Sequence, residues 1–299
     1  ITILGDDART EARRADEEMS CGRRRSLLHG IPVSFKDLVD VDGVPTTAAS
    51  LLLTDHIATS DAPVVARLRE AGCVFLGKCN LHEFAFGTTC EDSAYGPVRN
   101  PYDPTRSAGG SSGGSAVAVT TGMSLASIGT DTGGSIRIPA SACGCVGLKP
   151  TYGELPCDGI IPLSPSLDHV GPLVRSVSDA WLVFHALKGR SATPLAATDC
   201  PTAAAMRVGV LAPFFMDLLE DEVGRVFEDA LRLLDRSGTR LITLAIPHAG
   251  DTAVIYLHLQ LPEASAYHAT ALERQPDAYS PAVRLRLELG RYVQAEDYV

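Results

Sequence analysis

The chain has 299 residues, 45% of them hydrophobic and 6% aromatic, which is enough to bury a substantial core and far from the composition of a disordered protein. Its net charge of −10 argues against a direct nucleic-acid footprint, which needs clustered Lys and Arg; the one basic run, Arg23-Arg24-Arg25, reads as a solvated helix end. Eight cysteines in a chain of this size, with no visible signal peptide, point to a reduced, cytoplasmic protein rather than a disulfide scaffold, with no membrane partner expected.

Cys143 and Cys145 are separated by a single residue, unlike the ligand pairs of zinc knuckles, and are expected as small buried hydrophobes. Neither a metal nor a cofactor is expected. The chain opens on Ile1 in what reads as a strand end, and its last residues, LRLELGRYVQAEDYV, stop within a helical pattern. The expectation is one α/β domain over 1–299, incomplete at both ends.

In chain order, Asp7 to Met19 is a helix charged on most faces. The alternation in Gly30-Ile31-Pro32-Val33-Ser34-Phe35-Lys36-Asp37 predicts a half-buried strand. Taken by itself, Lys36 in such a strand is expected at an edge with its ammonium in water. Val41 to Val44 is a turn. Ser60-Asp61-Ala62-Pro63 starts a helix whose Val64, Val65 and Leu68 share a buried face; Gly72 closes it and Cys73 to Gly77 is a buried strand. A loop from Gly87 to Pro104 follows.

The stretch 107–150 holds two serine-bearing glycine clusters, Gly109 to Ser115 and Gly133-Gly134-Ser135. Between them, 116–122 reads as a small apolar helix and 125–129 as a strand, and Ile136 to about Cys143 as a second helix. Both serine clusters therefore stand at corners leading into helices, where backbone N–H groups are free. Downstream, a helix from Ser178, a strand at 207–211, a helix from Glu220 to Asp235 and a strand at 241–244 continue the alternation, and the chain is mostly helical from Thr252. The stretch Arg190 to Ala205 reads as a surface loop.

Glycine-rich serine loops suit three kinds of chemistry. A phosphate cradle needs a lysine directly after the glycines, and neither cluster has one. A nucleophile elbow needs G-x-S-x-G, which Arg137 breaks, and His169 in Ser166-Leu167-Asp168-His169 sits in no recognisable triad context. The third is a serine nucleophile activated through a second serine by a neutral lysine.

The blocks GGSSGGSAVAV and GTDTGGSIRIPASACGCVGLKPTYG, with GIPVSFKDLVDVDGVPTTAAS upstream, resemble the signature of the amidase signature family of serine hydrolases along nearly the whole chain. The resemblance implies a central mixed, mostly parallel sheet covered by helices, and hydrolysis of a linear carboxamide through an acyl-enzyme that releases ammonia or an amine. It makes Ser135 the nucleophile, Ser111 the bridging serine after a cis peptide bond, and Lys36 the general base. The oxyanion hole falls on the N–H groups of Thr132, Gly133, Gly134 and Ser135, and Ser112, Thr130, Asp131 and Arg137 on supporting positions. Ser135 lies 24 positions after Ser111, and Ser111 lies 75 after Lys36.

The implied partners are a small-molecule amide substrate and either a second copy in a homodimer or the partner subunits of an amidotransferase. Stand-alone amidases and the A-type subunits of glutamyl-tRNA(Gln) amidotransferases share the pattern, and the stand-alone reading is slightly favoured. A chain that keeps the signature only structurally, as an inactive fragment or interaction subunit, is the alternative of another class.

Overall fold

The computed structural model describes residues 1–196 and 202–299. These fall into two compact units, one of residues 1–194 with 258–299 and one of residues 195–257. Of the loop expected over Arg190 to Ala205, residues 197–201 lie outside the described residues.

The first unit is built on a six-stranded sheet. Its strands are β1 (Thr2–Ile3), β2 (Pro32–Lys36), β3 (Val74–Cys79), β4 (Ala126–Asp131), β5 (Val146–Gly147) and β6 (His169–Val174), in the spatial order β1-β3-β2-β4-β6-β5. The sheet is mixed, as expected. β2 runs parallel to both β3 and β4, and the outer pairings are antiparallel. Parallel strands need a crossover between them, and helices supply it: α2 (Pro63–Glu70) precedes β3, and α3 (Gly113–Thr120) precedes β4.

Helix α2 buries Val64, Val65 and Leu68, the face read from the sequence, and starts on Pro63. Each such side chain is worth about 1.5–3 kcal/mol when fully buried. In the sheet, Phe35 and Phe75 meet edge to face at 4.8 Å and anchor the core between β2 and β3. The remaining helices are α1 (Gly5–Ser20), α4 (Arg137–Cys143), α5 (Val177–Leu187), the part of α7 (Thr252–Arg274) from 258 onward, α8 (Pro281–Leu289) and α9 (Ala295–Tyr298).

Three sequence readings are corrected. Lys36 is not at an edge, because β2 lies between β3 and β4, and its side chain is fully buried. Strand β6 escapes the sequence reading because Gly171 and Pro172 interrupt its apolar run, yet it pairs with β4 along all six of its residues. Helix α3 begins inside the first glycine cluster, at Gly113, rather than after it. Cys143 is buried, as read, and Cys145 is half-buried.

The second unit holds β7 (Arg207–Leu211) and β8 (Arg240–Leu244), paired in parallel, with α6 (Asp221–Arg236) between them in sequence and the first turns of α7 at its end. No described helix is long and apolar enough to cross a membrane.

Candidate active site

The carboxyl ends of β2 and β4, neighbouring parallel strands, carry Lys36 and the turn to Ser135, at the place where open α/β sheets bind ligands. Lys36 is the last residue of β2. With Phe35 opposite Ile128 in the ladder, its side chain meets Thr130 and the turn ahead of α3. Lys36 Nζ lies 2.7 Å from Ser111 Oγ and 2.8 Å from Thr130 Oγ1, with both hydroxyl residues buried. Burial lowers the lysine from 10.5 to about 7, against the pull of Cys90, Asp131 and Asp168, which favour its charged form. A neutral amine can donate to one hydroxyl and accept a proton from the other.

A second buried lysine gives the contrast. Lys78, on β3, is also pushed down by burial, but it keeps the Asp37 carboxylate at 3.1 Å and donates to Thr46 Oγ1 at 3.0 Å. An opposite charge in contact favours the ammonium. Lys36 has hydroxyl partners in place of that carboxylate.

The Gly110–Ser111 peptide is cis, as the resemblance implies. Ser112, the N-cap of α3, accepts the Thr130 N–H at 3.3 Å on its hydroxyl and donates to the Thr130 carbonyl at 3.1 Å. Gly129 makes room for this contact, since a Cβ there would stand 2.9 Å from Ser112 Oγ. The Ser112 N–H also donates to the Ser135 carbonyl at 3.1 Å. Backbone hydrogen bonding therefore ties the two serine loops together, while the hydroxyls of Ser111 and Ser135 make no hydrogen bond to each other.

The turn from β4 into α4 is organised by Asp131. Its buried carboxylate accepts the N–H of Gly134 at 2.8 Å, of Ile136 at 3.1 Å and of Arg137 at 3.4 Å, and pairs with the Arg137 guanidinium at 2.9 and 3.0 Å. Burial would raise this acid, but the guanidinium and the backbone donors outweigh it and hold the group below its ordinary value. The N–H of Gly134, one of the four that the resemblance places in the oxyanion hole, thus donates to Asp131 in this structure. The N–H groups of Thr132, Gly133 and Ser135 make no hydrogen bond within the described structure.

An Asp131→Ala chain is expected to lose about 3 kcal/mol of stability through these orphaned donors, read as a lower denaturant midpoint. Asp131→Asn, which keeps an acceptor oxygen, should lose less; equal losses would show that the carboxylate does not hold the turn.

Asp168 carries no site signal in the sequence, because Thr132, the partner that links it to the loop after β4, lies 36 positions away. It accepts the Thr132 hydroxyl at 2.5 Å and the N–H groups of Leu163 and Ser164 at 2.9 and 3.0 Å, joining the free-donor loop to 163–168. Burial pushes it above the usual carboxylate range, against these donors. Next to it, His169 Nδ1 lies 2.6 Å from the Leu167 carbonyl and 3.2 Å from that of Asp131. Thr130, Thr132, Asp168 and His169 share a cavity of about 340 Å³ with Ala85, 157–163 and Pro165. A larger cavity, about 700 Å³, is lined by β1, β3 and α1; neither cavity is lined by Lys36, Ser111 or Ser135, but the smaller one is lined by Thr130, the hydroxyl partner of Lys36, and by Thr132.

A buried lysine, a hydroxyl in contact with it, a second serine on a tied loop and a row of free N–H groups beside a cavity are parts that acyl-transfer chemistry can use. The sequence matches the family model described as Amidase over residues 1–298, and the chain belongs to the amidase family. Over its whole length it is 37% identical to one of the subunits of the glutamyl-tRNA(Gln) amidotransferase of Trichlorobacter lovleyi, covering 67% of that protein. To the corresponding amidotransferase protein of Anaeromyxobacter dehalogenans it is 42% identical, over 89% of this chain and 56% of the relative. The fold superposes on the crystal structure of an amidase with a TM-score of 0.91 at 42% identity, over 99% of this chain and 67% of the other. The chain thus spans little more than half to two thirds of the length of the proteins it matches.

Proposed function

We propose that the chain carries an amide-hydrolysing site in which Ser135 is the nucleophile, Ser111 the relay and Lys36 the general base. The observation that carries this reading is the Lys36–Ser111 contact of 2.7 Å around a lysine brought by burial to about 7. Neutral Lys36 takes the Ser111 hydroxyl proton as Ser111 takes that of Ser135, and Ser135 Oγ attacks the carboxamide carbon. The oxygen that becomes negative is received by the N–H groups of Thr132, Gly133 and Ser135, and each such donor is typically worth roughly 2.7–4 kcal/mol. Returned through Ser111, the proton leaves with the amine or ammonia, and water then releases the acid from Ser135.

The substrate is a small amide bound in the 340 Å³ cavity beside Asp168 and His169. Seven free cysteines among the described residues suit a cytoplasmic enzyme. The names of the relatives favour a second reading, a glutaminase that passes ammonia to partner subunits. Incubation of the chain with glutamine and with simple primary amides, with ammonia measured, separates the two. Release from simple amides is the expected result. Release from glutamine alone supports the amidotransferase reading, and no release from any amide by folded protein makes the chain inert.

A further inference from the structure

None of the eight cysteines is a candidate site residue in the sequence, yet Cys90 lies directly behind the relay serine. Cys90 is fully buried, with φ of +55°. Its Sγ donates to the Ser111 carbonyl at 3.1 Å and accepts the Gly113 N–H at 3.3 Å, so a single thiol spans the peptide groups on either side of Ser112. Gly113 is the first residue of α3, where N–H groups lack helical partners, and the sulfur takes the place of one.

The fit is close. A Cβ built on Gly110 or Gly113 would stand 3.0 or 2.8 Å from the sulfur, which leaves little space for a bulkier group at either side. Cys90 is itself pinned: its N–H donates to His82 Nδ1 at 3.2 Å, and its carbonyl accepts the Val98 N–H at 2.9 Å. The His82 ring stands 3.1 Å from the Asp92 carboxylate, and the His82 N–H gives the Ser111 carbonyl a second donor at 3.2 Å.

We propose that Cys90 is a positioning residue, whose thiol clamps the 110–113 turn and thereby sets where the Ser111 hydroxyl meets Lys36. The proposal rests on the relay reading given above. Cys90 touches no reacting atom. It acts through the Ser111 carbonyl and the first N–H of α3, and it holds the hydroxyl on the opposite side of that residue in register with the base.

The test is the rate at which a fluorophosphonate labels Ser135, resolved into a maximal rate and a half-saturation concentration. Cys90→Ala is expected to lower the maximal rate about tenfold with half-saturation held within about twofold, because displacement of a reacting group costs rate rather than binding. Cys90→Ser keeps a donor and an acceptor and should return the rate to within about threefold of the parent chain. A Cys90→Ala rate equal to that of the parent overturns the inference, as does an equal fall in both variants that follows their loss of folded fraction by circular dichroism. Should Cys90→Ala not fold at the assay temperature, Cys90→Ser decides alone: a folded Ser variant slowed about tenfold or more excludes the clamp. Unlabelled parent chain, or undiminished labelling of Ser135→Ala, would overturn the relay reading and this inference with it. A labelled parent with an indifferent Cys90→Ala overturns the clamp alone.

Discussion

A Ser135→Ala chain is expected to take up no fluorophosphonate and to lose amide hydrolysis by a factor on the order of 10⁴ to 10⁶, while unfolding at nearly the denaturant concentration of the parent. The loss is large because acylation has no other route once Oγ is gone. The fold should survive because the contacts that hold residue 135 in place are backbone contacts: the Ser112 N–H to its carbonyl, and the Asp131 carboxylate to its neighbours 134 and 136. None of these uses the hydroxyl. Labelling that persists in the variant, traced by mass spectrometry to another residue, would end the assignment.

Lys36→Ala should cost about 10² to 10⁴ in acylation rate, the usual contribution of a positioned base. The parent rate should depend on pH in a characteristic way. Only the neutral amine can accept the proton, so the rate climbs with pH through about 7 and levels off above it. The sign for stability follows from the same burial. Lys36 is held below its unfolded value of 10.5, so the unfolded chain binds the extra proton between about 7 and 10.5, and stability rises with pH across that window. Lys36→Met should flatten this rise to the part that Lys78 contributes. A rate independent of pH from 5 to 9 would remove Lys36 from the role of base.

The signals legible in the sequence are local ones. The α2 face with Val64, Val65 and Leu68, the apolar run of β3 and the serine-bearing glycine corners each lie within a few neighbouring residues, and each has its structural counterpart. What escapes a linear reading depends on pairing across the chain. β6 is a strand because β4 offers it a ladder, in spite of Gly171 and Pro172. Lys36 and Lys78 look alike as single lysines in apolar strands; only the fold gives one a carboxylate and the other hydroxyls. The spent N–H of Gly134, the Thr132–Asp168 link and the thiol of Cys90 behind Ser111 are likewise partnerships between segments that no spacing rule brings together.

The cavity beside Thr130 and Thr132 has a wall drawn largely from one continuous stretch, 157–169, whereas Lys36, Ser111 and Ser135 stand on β2 and on the two corners before α3 and α4. Under the proposed function, chemistry and selection are thus written in separate paragraphs of the chain. On that reading the wall can be redrafted, by mutation or by design, to admit a different guest, provided Asp168 is kept, because its bond to Thr132 ties the wall to the loop of free donors.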